Sequence, residues 1–331
     1  MPDVQRSVPF EHLPPAPVPD CMIIEKITPV GRLTGRELMG HMGQIVSTAA
    51  FAIGIMVQKD LTQYAPAADV VALQLSLSLA PMWLICAFLG HLPSRMSEII
   101  PGLVWGCLTP GLVFLFASAG AARTDGVSIA LIWGMAPLIV PFMGRLLLGE
   151  RFHWTLPLGA VVAFAGIVVL TLNRQEIGAG DLTGNLLVGA GMLCASFGQI
   201  AGRRLNTRGA PWFRIATLQV TGAAGIAWVA ALFDGAWTTP PLDNHVVLAQ
   251  LVFLVLGMTM ANFIGYNLAL SRIPVAWISL YNSLNPVIGT AAAVVIVSAL
   301  VRPFDMVGIA IIMTGVVLPH LWRIARSGRW F

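Results

Sequence analysis

This sequence predicts an all-α integral membrane fold, ten transmembrane helices arranged as two inverted five-helix repeats, and three observations carry the prediction. The 331 residues are 57% hydrophobic and only 10% charged, where soluble domains carry about 25% charged residues. Apolar stretches of the roughly 20 residues that a helix needs to cross a bilayer recur almost end to end. The chain also matches itself at an offset of 149 residues, placing Arg123 on Arg272, Pro137 on Pro286, Gly159 on Gly308 and Gly166 on Gly315 without a gap.

Taken in order, residues 1–37 are polar, with Pro14, Pro15, Pro17 and Pro19 clustered. No charged start leads directly into a short apolar segment, so the stretch reads as a cytoplasmic proline-rich tail and not as a secretory signal. Spans are expected over 38–57, 68–90, 98–121, 126–148 and 154–172, which together make a first repeat of 38–172. A periplasmic connector, 173–183, leads into a second repeat, 184–322, with spans over 184–202, 213–233, 246–270, 275–298 and 304–322. Residues 323–331 form a basic cytoplasmic C-terminus, near which Trp322 and Trp330 suit an interfacial position.

With the N-terminus inside, the segments on the cytoplasmic side hold 15 Lys and Arg and those on the other side hold four, Lys59, Arg123, Arg174 and Arg302. This is the asymmetry of the positive-inside rule, and it puts both termini in the cytoplasm. The net charge of +4 therefore reports topology and gives no reason to expect a nucleic-acid partner. The four cysteines, Cys21, Cys86, Cys107 and Cys194, form no C-x-x-C pair, and neither a metal nor a cofactor is expected.

In the self-match the proline and glycine pairs carry the signal, since aliphatic identities are cheap in an apolar chain. Five spans separate the paired segments, so the two copies cross the membrane in opposite senses. Two such bundles can rock between packings of similar energy and expose one midplane site to each side in turn, which points to transport.

The stretch Pro137-Leu-Ile-Val-Pro141, then Leu148-Gly149-Glu150-Arg151, Gly159 and Ala165-Gly166 resembles the end of an EamA repeat in the drug/metabolite transporter superfamily. The second half repeats it as Asn285-Pro286-Val287, Gly308 and Thr314-Gly315. One departure is that Leu148-Gly149-Glu150 becomes Val297-Ser298-Ala299 in the second copy. The resemblance implies a ten-helix carrier with a central cavity, moving amino acids or similar small solutes across a bacterial inner membrane, most often outward. Glu150 and Arg151 fall at the junction of spans four and five, where Glu150 suits a structural loop role, capping a helix start and pairing with Arg145 or Arg151.

Polar groups inside a bilayer are costly unless paired or wetted, so they are the candidates for a substrate path. Spans eight and nine are richest, and at helical spacing Asn262 and Tyr266 share a face, as do Tyr281 and Asn285, with Asn282 three residues from Asn285. Gln44 in span one and Gln199 in span six occupy approximately equivalent places, each with a serine three residues away. Trp133 is the repeat counterpart of Asn282 and would offer an indole to an apolar or aromatic moiety. These eight residues are the candidate substrate-binding set, and packing between helices is the plainer role for each. Pro110, Pro137 and Pro286 interrupt backbone hydrogen bonding inside spans and are candidate hinge or gating points, or else static kinks.

The spans hold no mid-span Asp or Glu of the kind that carries protons in many exporters. Facilitated movement of a small neutral or zwitterionic metabolite is accordingly the first expectation, with coupling left to Glu150, Glu98 or a histidine. A proton-coupled drug or metabolite antiporter is the second reading. A membrane-embedded transferase or a channel represents the other classes, and the former would need an acidic metal cluster or a Ser/His arrangement that the sequence lacks. Gly102-x-x-x-Gly106 and Gly198-x-x-x-Gly202 fit close helix contact inside a monomer or in a weak homodimer.

Overall fold

The computed structural model describes residues 34–121, 123–124, 126–172, 181–233, 235, 237–297 and 302–326. The expectations for 1–33, for 173–180 of the connector, for Ser298-Ala299 and for Trp330 with the rest of 327–331 lie outside these residues.

Fourteen helices are present among them: α1 (Gly35–Leu61), α2 (Ala67–Phe88), α3 (Met96–Gly106), α4 (Val113–Ala121), α5 (Gly126–Gly134), α6 (Ala136–Leu148) and α7 (Thr155–Leu172), then α8 (Leu182–Thr207), α9 (Trp212–Phe233), α10 (His245–Phe253), α11 (Asn262–Arg272), α12 (Val275–Asn282), α13 (Asn285–Val297) and α14 (Pro303–Arg326). They compose ten rods. A π-helical segment at Cys107–Leu112 joins α3 to α4, another at Leu254–Ala261 joins α10 to α11, and short breaks join α5 to α6 and α12 to α13. Eight rods are long and apolar enough to cross a membrane by themselves. Helix is the form such stretches take in lipid, because it satisfies every backbone group within the segment.

The irregularities come in repeat-related pairs. Both π segments fall in the third rod of a half, and the breaks fall in the fourth, at Met135 and at its counterpart Leu284, again 149 residues on. Pro137 and Pro286 each stand second in the helix that follows a break, where a missing N–H leaves no bond unmade. The prolines therefore begin a helix arm; they do not bend a continuous helix. In the third rod Thr109 is extended (φ −139°, ψ 109°), the conformation into which a following proline pushes its neighbour.

The offset match becomes geometry where α7 crosses α14. Gly159 lies against Gly315, and Gly166 lies against Gly308 and Ile312. Since Gly159 corresponds to Gly308 and Gly166 to Gly315, residue i meets j′ and j meets i′, the mark of a two-fold axis through the contact. The two helices run antiparallel across it, as an inverted repeat requires.

Small residues set the other crossings. Gly43 and Gly265 bring α1 and α11 into backbone contact. Gly102 and Gly106 receive Leu218 and the Gln219 backbone of α9, while Gly198 and Gly202 receive Thr109 and Trp105. Both small-residue pairs are thus occupied by contacts within the chain. The α2–α9 interface is built largely of alanine, including Ala68, Ala72, Ala216 and Ala223, and gives the close approach by which helices associate in lipid.

Candidate functional site

A cavity of about 600 Å³, counting the part open to the outside, lies between α1, α2, α9 and the third and eighth rods. Phe51 and Gln58 come from the second half of α1, and Val71, Gln74 and Leu75 from the first turns of α2. The cavity therefore lies in the half of the bundle away from the two termini. Its wall is mainly apolar, with Phe51, Phe114, Met258 and Phe263, and Pro110 stands in it beside Gly111.

Amides provide its polar surface. Asn262 lines the cavity and its Oδ1 accepts from Ser47 Oγ at 2.7 Å. Gln74 Nε2 donates to Thr259 Oγ1 at 3.2 Å, and Gln44 Nε2 donates to Thr48 Oγ1 at 3.1 Å and to Asn282 Oδ1 at 3.0 Å. The Oε1 atoms of Gln44 and Gln74 are buried without a partner. An unmet acceptor in such a place is costly, so each is ready for a donor. Among the described residues no fixed charge lines the cavity.

The half of the bundle toward the termini is closed by three polar clusters. In the first, Gly149 adopts the left-handed conformation (φ +70°) that ends α6, as glycine does without steric cost. The chain turn this permits aims Glu150 across to the second half. Its Oε1 accepts from Arg203 Nε at 2.7 Å, and its Oε2 accepts from Val275 N at 2.9 Å, at the N-terminus of α12. Arg203 Nη1 also donates to the Leu270 carbonyl at 2.6 Å. The helix start that Glu150 meets is that of α12, not the one at the junction of spans four and five, and its cation is Arg203 of α8, while Arg151 is exposed.

In the second cluster Asn206 Nδ2 donates to Asn267 Oδ1 at 2.9 Å, Asn267 Nδ2 donates to Gln219 Oε1 at 2.9 Å, and Gln219 Nε2 donates to the Thr109 carbonyl at 3.0 Å. The chain of amides ends on the carbonyl at the irregular turn before Pro110. In the third, the Tyr281 hydroxyl lies 3.0 Å from His41 Nδ1 and 3.0 Å from His320 Nε2, with the Trp277 ring 4.4 Å from that of His320.

A profile of the EamA-like transporter family matches residues 38–172 and again 182–319. The chain belongs to the EamA-like transporter family. It is similar at 24% identity to the uncharacterized transporter YcxC of Bacillus subtilis (strain 168), over 85% of this chain and 93% of that one. It is also 24% identical to the uncharacterized transporter YyaM of the same organism, over 60% and 65%. One solved crystal structure superposes with a TM-score of 0.71 at 19% identity, covering 88% of this chain and 99% of that one, a likeness of fold. The protein is thus a multi-pass transporter of the drug/metabolite superfamily, and its family is not one of enzymes.

The eight candidate residues divide within this EamA-like bundle. Asn262 lines the cavity, and Gln44 with Asn282 lies one turn deeper along α1. Tyr281 belongs to the histidine cluster. Gln199 donates to the Val275 carbonyl at 3.5 Å, and Tyr266 stacks on Trp105 at 6.5 Å between ring centres, both in the closed half. Asn285 has a buried Oδ1 without a partner. Trp133 is half-buried on α5, outside the cavity lining. Sequence reasoning passed over Gln74, Gln219, Asn206, Arg203 and His320. Gln74 and Gln219 are amides in otherwise apolar spans, which was a usable signal; the others sit near span ends, where polar residues are ordinary.

Proposed function

We propose that this EamA-like transporter moves a small neutral or zwitterionic metabolite, an amino acid or a similar solute, outward across a bacterial inner membrane by alternating access about the amide-lined floor. The observation that supports the reading is a cavity in one half of the bundle, with hydrogen-bonded clusters joining the two repeats in the other half. The excess of arginine at the end bearing the termini supports placing that end in the cytoplasm, so the cavity faces outward. Asn262, Gln44 with Asn282, and Gln74 would meet the polar groups of the solute, and Phe51, Phe114 and Phe263 its apolar part. As the bundle rocks, Tyr266, Tyr281, Asn285, Gln199 and Trp133 would come to line the inward-facing form of the site, with Pro110, Pro137 and Pro286 at the points where rods flex.

Counterflow in proteoliposomes loaded with pooled amino acids, other small metabolites or lipophilic cations tests this. Saturable exchange with the amino-acid pool is the expected result. Exchange with the lipophilic cations alone would overturn the substrate class, and no exchange by folded, inserted protein would overturn transport of these solutes. Asn262→Ala should raise the half-saturation concentration about tenfold, the size of one hydrogen bond to a solute in a site of low polarity. An unchanged value would remove Asn262 from the site.

A further inference from the structure

We propose that His41, Tyr281 and His320 form a proton-binding site that latches the closed half of the transporter, so that a proton arriving by way of the cavity releases it and the proton becomes a co-substrate. The proposal rests on the alternating-access reading above and adds an energy source to it.

The argument begins with the hydroxyl. A phenol has one proton to give, and the two ring nitrogens stand on either side of it at 3.0 Å each. The arrangement is satisfied only if one neutral imidazole accepts the O–H while the other donates its N–H to the phenol oxygen. Adding a proton to the accepting nitrogen turns it into a second donor facing the hydroxyl proton. Both histidines then point N–H groups at one oxygen, the phenol proton loses its acceptor, and a positive charge stands in a buried site. His41 is 4% exposed and Tyr281 5%, with His320 half-buried beside them, so little water reaches the hydroxyl to repair the loss, and separation of α1, α12 and α14 is the relief available.

The cluster is also connected to the cavity. His41, Gln44, Ser47 with Thr48 and Phe51 follow one another at three- and four-residue steps along one face of α1, and Gln58 stands seven residues, about two turns, further on. Phe51 and Gln58 line the cavity, Ser47 bonds the cavity residue Asn262, Gln44 bonds Asn282, and His41 bonds Tyr281, the neighbour of Asn282. Successive turns of α1 thus step from the cavity floor to the latch. A solute engaging Gln44 or Asn282 acts one turn from the proton site, a short enough distance for the two occupancies to influence each other.

Glu37 of α1 and Arg323 of α14 flank the cluster and pair with each other at 3.5 Å. Arg272, ending α11, reaches the sulfur of Met39, and His153, before α7, stacks on Trp322 at 3.7 Å. α6 and α8, packed against α12, bring Arg145, which is exposed, and Arg203, which Glu150 neutralises. α13 brings no ionisable group among the described residues, and α2 and α10 place Asp69 and His245 at the opposite end. Among the described residues no carboxylate other than the paired Glu37 stands by to hold a protonated imidazole in place.

The test needs no identified solute. Cys21, Cys86, Cys107 and Cys194 are replaced by serine, spin labels are placed through Arg36→Cys and Thr207→Cys, both exposed at the terminal end of the bundle, and distances are measured in lipid nanodiscs. Acidification from about pH 8 to about pH 5.5, bracketing an unperturbed histidine, should enlarge a longer-distance population by about threefold or more. In His41→Gln/His320→Gln, where an amide both donates and accepts without titrating, that growth should vanish. Tyr281→Phe, which removes the hydroxyl, should hold the longer population at both pH values. Acid insensitivity of the unmodified latch, or an acid response that survives the double glutamine variant, overturns the proposal. Counterflow on the same preparation keeps this outcome separate from the transport reading, since exchange without acid-driven opening rejects the latch alone.

Discussion

Glu150→Ala is expected to destabilise the protein by about 3–5 kcal/mol, the range seen when one partner of a buried ion pair is removed and the other is left behind. Arg203 would be the group left behind, with a side chain only 10% exposed. The same substitution takes the acceptor from Val275 N, so the first turn of α12 loses its cap. Thermal unfolding of detergent-purified protein, followed by intrinsic fluorescence and checked by the size-exclusion profile, measures the effect. Glu150→Ala/Arg203→Met should be the more stable of the two variants, because the stranded charge goes with its partner. A single variant within about 1 kcal/mol of the parent would place the pair among ion pairs that contribute little.

Valine at Gly159 or at Gly315 should be damaging to a similar degree in either position, by about 1–3 kcal/mol or more, as overpacking at a rigid contact costs. A Cβ added to Gly159 would stand 2.5 Å from the Gly315 carbonyl oxygen and 2.9 Å from Pro319 Cγ. One added to Gly315 would stand 2.5 Å from Gly159 O and 2.5 Å from Ala163 N. Backbone atoms and a rigid proline ring make these contacts, so no side chain can swing aside and the helices themselves must part. The double variant should lose less than the sum of the singles, since the first valine already opens the crossing that the second would open. Full additivity in a thermal double-mutant cycle would show that the two glycines do not share one contact.

Much of this architecture could be read from the chain because the bilayer makes its demand on every span. Apolar length alone gave the ten rods in order, and glycines and prolines recurring at one offset marked both the α7–α14 crossing and the paired breaks before Pro137 and Pro286. The candidate site was less legible, for reasons of rotation and distance. Whether Asn262 faces a cavity and Gln199 a neighbouring carbonyl depends on how each helix is turned about its axis, and apolar residues surround both in sequence. His41 and His320 stand near opposite ends of the chain and meet only because α1 and α14 both border α12. Arg145 and Arg151 were the nearest cations to Glu150 along the chain, but Gly149 turns the carboxylate toward another element. The loss of Glu150's counterpart in the second copy is intelligible in these terms, because a group that bonds one half to the start of α12 in the other has no need of a double.

A contact in which each half offers the other the same pair of glycines carries its own instructions for assembly. Nothing in it depends on which half was made first. Recognition between the halves is written into the surfaces of α7 and α14 themselves.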